Sequence, residues 1–420
     1  MTVRFRDLLG TGGAQIAIQA LAFLAGIAVV RFLPPLEYAA YTVTNTVLGS
    51  LVVIVDSGLA AGVLATGGRV WQDRRQLGTV VATALRLRRR MIPAAIIVTL
   101  VAVIVVVTRL GMTPWAALLL ACASLPLLVS TSRTQILEAV PKLNQELRTV
   151  QTLQAGSNGA RLVLLVMLLP AFGSAALAVA AAAVPQFWQA WRLRSCVARH
   201  ADLHAATDPA VARTLRAQVR RTLPTAIYFA VSGQLSIWLV SIFGAARQVA
   251  GVGALSRLIM LLVAVSSAFS LLVVPRFARL SAGGVAQLRR AFWGAQALLF
   301  ALGAVVVGGV AMFRQPVLWV LGPAYSDLGV EALLMAINGL AWAMAGGTLN
   351  LATARGVVTP SWLLIPCSLA VELVAALLLP VGTVTGAIFL SLATAMIQWA
   401  LHAGHFEYAT RRHGFGGAPT

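Results

Sequence analysis

Residues 224–280 read PTAIYFAVSGQLSIWLVSIFGAARQVAGVGALSRLIMLLVAVSSAFSLLVVPRFARL. Two long apolar runs flank a short polar joint at 244–248. A hydrocarbon core about 30 Å thick requires about 20 consecutive apolar residues in a helix. Each run meets that requirement, so the stretch predicts a transmembrane helical hairpin.

The second helix of this hairpin carries one charge, Arg257. It lies about eight residues, or about 12 Å, from the predicted outer end of the helix. A charge at that depth costs about 2.5–3.5 kcal/mol on insertion scales, so it is expected to have a partner or a role. Either Arg257 faces a cavity and binds an anion, most simply a phosphate, or it pairs with a buried acid or snorkels outward.

The composition of the chain indicates an integral membrane protein. Of its 420 residues, 59% are hydrophobic and only 10% are charged, whereas soluble domains have about 25% charged residues. The apolar runs are long and do not alternate, which indicates helices and not barrel strands. We predict an all-α integral membrane protein with about 12 transmembrane helices, near 13–32, 38–60, 91–108, 114–136, 150–170, 173–191, 224–243, 249–275, 292–313, 331–353, 360–380 and 384–402.

The net charge of +20 reports orientation and does not indicate nucleic-acid binding. With these spans, 25 Lys and Arg side chains fall on one side, four on the other and three within spans. Cytoplasmic loops of membrane proteins carry the excess of Lys and Arg. Both termini are therefore predicted to be cytoplasmic, which requires an even number of spans.

The chain is predicted to consist of two parallel six-helix halves. The stretch from Phe32, FLPPLEYAAYTVTNTVLGSLVV, resembles the stretch from Phe243, FGAARQVAGVGALSRLIMLLVA, in its order of turn, small residues and Leu/Val-rich end. Such repeats are common in transporters. The predicted segments are 1–191 for the N-terminal half, 192–223 for a basic cytoplasmic connector, 224–402 for the C-terminal half and 403–420 for a cytoplasmic tail.

The connector contains a predicted amphipathic helix. Asp208 and Pro209 are typical of an N-cap and a first helical position. Val211, Leu215 and Val219 then recur on one face, while arginines occupy the others. The pattern favours a basic helix lying on the inner leaflet; the alternative is a solvated basic linker.

Further charged residues lie in or near the predicted spans. Arg161 is near mid-membrane, and the same two alternatives apply to it as to Arg257: it faces a cavity, or it pairs with a buried acid or snorkels outward. If both face one cavity, the two arginines are suited to clamp a diphosphate through charge-assisted hydrogen bonds. Arg31 is near the outer end of span 1, where snorkelling is an alternative. Glu372, in the middle of span 11, either titrates during transport or neutralises an arginine. Asp56 ends span 2, where capping or a gate contact is favoured.

Other site classes find no support in the sequence. Three cysteines show no paired or metal-binding spacing, and a lone HxxH at 402–405 is a weak signal. No nucleotide-binding or catalytic-triad motif is evident. We predict no metal, no cofactor and no enzymatic activity, and the short outer loops disfavour a membrane polymerase or ligase.

Four motifs, in order and over residues 10–400, resemble Wzx-type polysaccharide flippases. They are VRFLPPLEY at 30–38, DSGL at 56–59, GVGALSRL at 251–258 with PRF at 275–277, and VLGPAY at 320–325. Ala39 stands where that family usually has Gly, and Ser57 where it usually has an aromatic residue. The predicted twelve spans also differ from the fourteen of lipid II flippases.

The resemblance implies membership of the multidrug/oligosaccharidyl-lipid/polysaccharide (MOP) exporter superfamily. It also implies an inner-membrane protein of a bacterium that flips an undecaprenyl-diphosphate-type lipid-linked oligosaccharide to the outer leaflet, for O-antigen or exopolysaccharide synthesis. Glycosyltransferases or a polymerase of the same pathway are then expected partners. In this hypothesis the two halves rock, Arg257 and Arg161 hold the diphosphate, and Arg31 assists near the exit. The alternative is a cation-coupled MATE-like exporter of small molecules.

Overall fold

The computed structural model describes residues 5–278, 280 and 285–413, and within them the chain is helical and contains no strand. Residues 1–4 and the end of the predicted tail, 414–420, lie outside the described residues. The chain divides into two compact units, the first ending at Ala250 and the second beginning at Gly251.

The first unit contains ten helices among the described residues. They are α1 (Phe5–Phe32), α2 (Pro35–Asp56), α3 (Leu59–Gly67), α4 (Arg74–Arg109), α5 (Pro114–Leu137), α6 (Ala139–Leu143), α7 (Leu147–Phe172), α8 (Ala175–His200), α9 (Pro209–Ser232) and α10 (Leu235–Phe243).

The second unit begins within α11 and includes a 3₁₀ turn at Pro323–Tyr325. Its helices are α11 (Ala246–Leu272), α12 (Val274–Ala278), α13 (Val285–Met312), α14 (Arg314–Leu321), α15 (Gly329–Thr353), α16 (Ser361–Leu378) and α17 (Val384–His413).

Several helices of the first unit begin where the sequence provides a cap. The Asp73 carboxylate accepts two backbone N–H groups of the first turn of α4, at 2.9 and 3.0 Å. Thr113 and Asp208 play the same part before Pro114 and Pro209. A side-chain oxygen satisfies an N–H that has no partner within the helix, and proline at the next position has no N–H to satisfy. The predicted N-cap at Asp208 is confirmed.

Among the residues that the structure describes, ten helices are long and apolar enough to cross a membrane, or eleven if the bent pair α9 and α10 is one span. Helix α8 occupies the place of the predicted sixth span but is not among them. Its first half is apolar, but its second half contains Gln186, Gln189 and several arginines, which lower the mean hydropathy of the helix. The predicted count of about twelve therefore depends on α8.

The predicted span 224–243 is broken. Helices α9 and α10 meet at 49°. At the break, the Gln234 N–H bonds the Val231 carbonyl at 3.2 Å and so leaves the Ala230 carbonyl, its regular helical acceptor. The hydroxyl of Ser50 on α2 donates to that carbonyl at 2.9 Å instead. A backbone group in a membrane must be satisfied internally, so α2 supplies the hydrogen bond that the bend removes.

The connector is not a separate element. The predicted boundaries at 191 and 223 fall inside α8 and α9. Leu215, in the predicted apolar stripe, is 1% exposed and packs in a core with Leu59 of α3. In this structure the apolar stripe therefore packs against protein. Leu193 and Val197 of α8 join the same core, which explains why α8 continues beyond the predicted span.

In the second unit, aromatic packing joins α13 to α17. The rings of Phe292 and Phe406 stack with centroids 4.0 Å apart. Glu407 accepts a hydrogen bond from the Trp293 indole at 2.7 Å and forms an ion pair with Arg289. Helix α17 also packs against α15 and α16, so it anchors the helix that carries Glu372.

Candidate functional site

The joint between α1 and α2 is tied to the joint between α7 and α8. Glu37, in the first turn of α2, accepts the Ala175 N–H at 2.7 Å. That N–H belongs to the first residue of α8, where a negative charge also complements the helix dipole. Gly173 ends α7 in the left-handed region at φ 54°, facing Pro34. These contacts fix the positions of α2 and α7, which carry the next group of residues.

Arg161 lies in the middle of the 26-residue helix α7 and contacts α2. Its Nη2 donates to the hydroxyl of Tyr41 at 2.8 Å. Tyr41 is 1% exposed and stacks on Tyr38, and Asn45 bonds the Tyr41 carbonyl at 2.8 Å. Among the described residues the recorded partner of Arg161 is thus a neutral hydroxyl, and its buried Nε has none. No carboxylate in the described part of the chain forms an ion pair with this guanidinium.

The sequence did not single out Tyr41, although a signal for it was available. Tyr38 and Tyr41 are three positions apart in the sequence of an apolar span. Buried tyrosines usually find a partner for the hydroxyl, so this spacing predicts one partner on a neighbouring helix. Which helix provides it depends on long-range packing, since Arg161 is 120 residues away.

Asp56 closes α2 and forms an ion pair with Arg88 of α4. Arg88 Nη2 lies 2.6 Å from Asp56 Oδ1, and the Arg88 side chain is only 1% exposed. The same carboxylate oxygen accepts the Ala60 N–H at 3.2 Å, in the first turn of α3. Sequence reasoning counted Arg88 among loop cations, whereas α4 begins before it and buries it. At this position, pairing and capping are the geometry observed for Asp56.

The chain turn after Asp56 is also tied to α9. Ser57 and Gly58 both have positive φ, 37° and 76°. The hydroxyl of Thr222 on α9 donates to the Ser57 carbonyl. A Cβ at Gly58 would lie 2.9 Å from Thr222 Oγ1, so glycine is required here for both conformation and space.

At the arginine-rich end of the unit, Glu146 joins the start of α7 to the end of α8. Its carboxylate lies 3.0 Å from His200 Nε2, 3.4 Å from the Cys196 thiol and 3.6 Å from Arg199 Nη2. Partial burial raises the pKa of Glu146, but these hydrogen bonds and charges outweigh it and hold the pKa below its ordinary value of 4.5. Burial raises the pKa of the Cys196 thiol, which therefore remains a proton donor.

The remaining predicted residues are divided between the units. Arg31 lies in the last turn of α1 and is exposed. In the second unit, Arg257 on α11 is half-buried, and Glu372 on α16 is 3% exposed. Each of the three takes part in a polar or electrostatic interaction. The structure thus brings Arg31 and Arg161 into one unit, and Arg257 and Glu372 into the other.

The second unit has a groove of about 520 Å³ between α11 and α15, whose largely apolar lining includes several polar side chains. It is lined by Ser266, Ser267 and Ser270 from one side and by Trp342 and Asn350 from the other. The Asn350 amide donates to the Ser270 hydroxyl at 3.1 Å. The Trp342 indole N–H donates to Ser391 at 3.0 Å and the Ser267 hydroxyl donates to the Val263 carbonyl at 2.8 Å, so these polar groups already have protein partners. The serines recur at helical spacing on α11, a signal that sequence reasoning missed.

No family model and no curated protein matches the chain. Among solved structures, an inward-facing multidrug resistance MATE transporter of the MOP superfamily aligns with a TM-score of 0.74 at 14% identity, over 94% of this chain and 96% of that one. The lipid II flippase MurJ in an inward closed conformation gives 0.76 at 9% identity, over 96% of this chain and 87% of that one. The chain has a MATE/MurJ-like transporter fold.

A eukaryotic MATE transporter gives a TM-score of 0.65 at 16% identity, covering 97% of both chains. At sequence identities this low, the comparisons show the fold alone. They support a multi-pass membrane protein, and one of the neighbours is described as a transporter of the MOP superfamily.

Proposed function

We propose that the protein flips a polyprenyl-diphosphate-linked oligosaccharide from the inner to the outer leaflet of a bacterial cytoplasmic membrane, in the manner of Wzx-type flippases. It is a transporter and not an enzyme in this proposal. The MATE/MurJ-like fold supports it, because one of the neighbours is described as a lipid flippase. The four sequence motifs at 30–38, 56–59, 251–277 and 320–325 support the narrower assignment.

The observation that carries the proposal is the uncompensated charge of Arg161. A guanidinium inside a membrane span costs several kcal/mol, and among the described residues Arg161 contacts only the neutral hydroxyl of Tyr41. That arrangement holds the side chain in place and leaves its charge available. A diphosphate in such a lipid carries two negative charges. The planar guanidinium of arginine can donate paired hydrogen bonds to its oxygens.

The other predicted residues take supporting roles in the proposal. Arg257 binds the same diphosphate at another stage, and Arg31 assists release near the outer face. Glu372 is buried in α16 and either couples transport to an ion or balances a cation of its unit. Asp56 holds the α2–α3 joint through Arg88.

Proteoliposomes test the proposal directly. The probe is a fluorescent polyprenyl diphosphate carrying one sugar, and translocation is measured by its accessibility to an impermeant quencher. Wild-type protein should move the probe, Arg161→Gln should slow it at least about 10-fold, and Arg161→Lys should retain part of the rate. Arg109→Gln, a change of equal charge at an exposed position, is the matched control. Absence of translocation by the wild type would overturn the proposal.

In cells, Arg257→Ala should abolish surface polysaccharide while the protein remains in the membrane at its normal level. The expected reason is that the variant lacks the guanidinium that binds the phosphate, while its fold is retained. Polysaccharide staining together with quantitative membrane immunoblotting measures both quantities. Normal polysaccharide in this variant would remove Arg257 from the mechanism.

A second candidate is a cation-coupled exporter of small molecules, which the alignment with MATE transporters favours. Such cargo is often cationic and would be repelled by Arg161. In the first unit the membrane carboxylate Asp56 is already paired. An accumulation assay showing dye efflux that depends on both a proton or sodium gradient and Glu372 would reverse the ranking.

A further inference from the structure

The first unit contains a basic groove that the proposed function does not use. It has a volume of about 480 Å³ and lies between α4, α5 and α8. One arginine from each helix lines it, Arg89, Arg133 and Arg194. None of the lining residues, all of which the structure describes, is acidic. The groove therefore concentrates positive charge from three separate helices.

The three guanidinium groups are available to a ligand. All three are exposed, and none has a hydrogen-bond or ion-pair partner among the described residues. Their neighbours on α4 differ, because Arg88 pairs with Asp56 and Arg86 donates to Thr207 at 2.8 Å. Asp202 lines the adjoining groove together with Arg194, and its carboxylate already accepts the His204 N–H at 3.0 Å.

The rest of the groove is apolar and continues along the helices away from the arginines. Leu125, Pro126 and Val129 lie one to two turns before Arg133 on α5, and Phe187 lies two turns before Arg194 on α8. Phe187 and Trp191 are 62% and 58% exposed. The groove thus has a charged end and an apolar end, aligned with the helix axes.

We propose that this groove binds an anionic glycerophospholipid of the cardiolipin type. Its phosphates contact the three arginines, and its acyl chains lie over the apolar residues of α5 and α8. Basic pockets between transmembrane helices recognise such headgroups. Two phosphates balance three guanidinium groups better than one, and the charge favours them over zwitterionic lipids. The proposal rests on the membrane-spanning fold and not on the proposed transport function.

Snorkelling alone accounts less well for this arrangement. A single arginine near a helix end, such as Arg133 taken alone, reaches the headgroup layer without forming a site. Here three unpaired arginines converge on one concave cleft that also has a tryptophan at its charged end. The ligand chemistry follows from convergence, not from any one residue.

Native mass spectrometry of the full-length protein in detergent tests the site. The lipids are cardiolipin, phosphatidylglycerol and phosphatidylethanolamine, titrated separately. The test variant is Arg89→Gln/Arg133→Gln/Arg194→Gln. The matched control is Arg90→Gln/Arg192→Gln/Arg220→Gln, which removes the same charge from exposed arginines that line neither groove.

The wild type should bind one cardiolipin at least 10-fold more tightly than phosphatidylethanolamine. The test variant should lose that preference, and the control should keep it within about 3-fold. Equal affinity of the wild type for both lipids, or equal loss in both variants, would overturn the proposal. If the triple variant fails to fold, Arg133→Gln alone should still weaken cardiolipin binding severalfold.

A separate titration with undecaprenyl diphosphate distinguishes the lipid from the proposed cargo. Arginine-dependent binding of that compound without arginine-dependent binding of cardiolipin would overturn the assignment and make the groove part of the transport route. Cardiolipin binding that persists at saturating undecaprenyl diphosphate supports the assignment.

Discussion

At the residue scale, the carboxylates of the first unit differ from Arg161 in the partners that they contact. Its carboxylates are engaged in fixed contacts: Glu37 caps α8, Asp56 pairs with Arg88, and Glu138 bonds Lys142 at 2.8 Å. Arg161, in contrast, has only a hydroxyl partner among the described residues. The acids thus serve the architecture, and the uncompensated charge in mid-helix is positive.

The Asp56–Arg88 pair should be a stability determinant. Asp56→Asn leaves a guanidinium buried without a counter-charge, which costs about 3–5 kcal/mol when one partner of a buried pair is removed. The double variant Asp56→Asn/Arg88→Met should recover much of that loss, because no charge remains buried. Thermal unfolding in detergent measures both. Arg90→Gln, at an exposed position, should change stability by less than about 0.5 kcal/mol.

Glu146 predicts a pH dependence with a definite sign. Its pKa is lower in the folded protein than its ordinary value of 4.5, so the ionised form favours folding. That contribution is complete above pH 4.5 and is lost as pH falls through the folded-state pKa. The unfolding temperature of the wild type should exceed that of Glu146→Gln at pH 6, and the gap should shrink below pH 4.5. A gap that stays constant from pH 6 to pH 3 would contradict this.

At the scale of elements, the apolar runs in the sequence predict most spans. The features that they do not predict depend on contacts between residues far apart in the sequence. The predicted starts at 114 and 209 rest on local caps, which sequence displays. The break at Gly233 lies in an apolar run, and the Ser50 contact that stabilises it is 180 residues away. The extension of α8 was visible in principle, since Leu193 and Val197 continue a helical spacing.

Two adjacent glycines of α15 give a matched test of helix packing. A Cβ at Gly347 would lie 2.4 Å from Leu299 Cδ2, a fully buried side chain, whereas nothing lies within 4 Å of a Cβ at Gly346. Gly347→Ala should destabilise the protein by about 1–3 kcal/mol through overpacking. Gly346→Ala should be neutral or stabilising by up to about 1 kcal/mol, because alanine favours helix. Equal effects in thermal unfolding would show that α13 and α15 approach less closely.

At the scale of the whole molecule, the fold class was predictable because composition and charge act over hundreds of residues. The site was predictable only in part: Arg161 stood out as a charge in a span, but Tyr41 and Arg88 acquire their roles from helices distant in sequence. The 25-to-4 distribution of Lys and Arg still makes one prediction that geometry alone does not, which is the orientation in the membrane.

Cysteine labelling tests that orientation. Cys122, Cys196 and Cys367 are first replaced by serine or alanine. A cysteine at Arg109, the exposed last residue of α4, should react with an impermeant maleimide in intact cells, since the loop that follows is predicted to be outside. A cysteine at Gln72, between α3 and α4, should react only after permeabilisation. The reverse pattern would invert the topology.

The carbonyl of Ala230 at the bend between α9 and α10 has two competing donors. The Ser50 hydroxyl donates to this carbonyl in the present structure. In a straight span the backbone N–H of Gln234 would donate to it instead, and the serine hydroxyl would be released. The Ala230 carbonyl thus keeps one hydrogen bond in either form, while the Ser50 hydroxyl is bonded to it only in the bent form. Removing that hydroxyl should therefore favour the straight form, and a movement of α2, which also packs against α9, would alter the bend partly through this hydrogen bond.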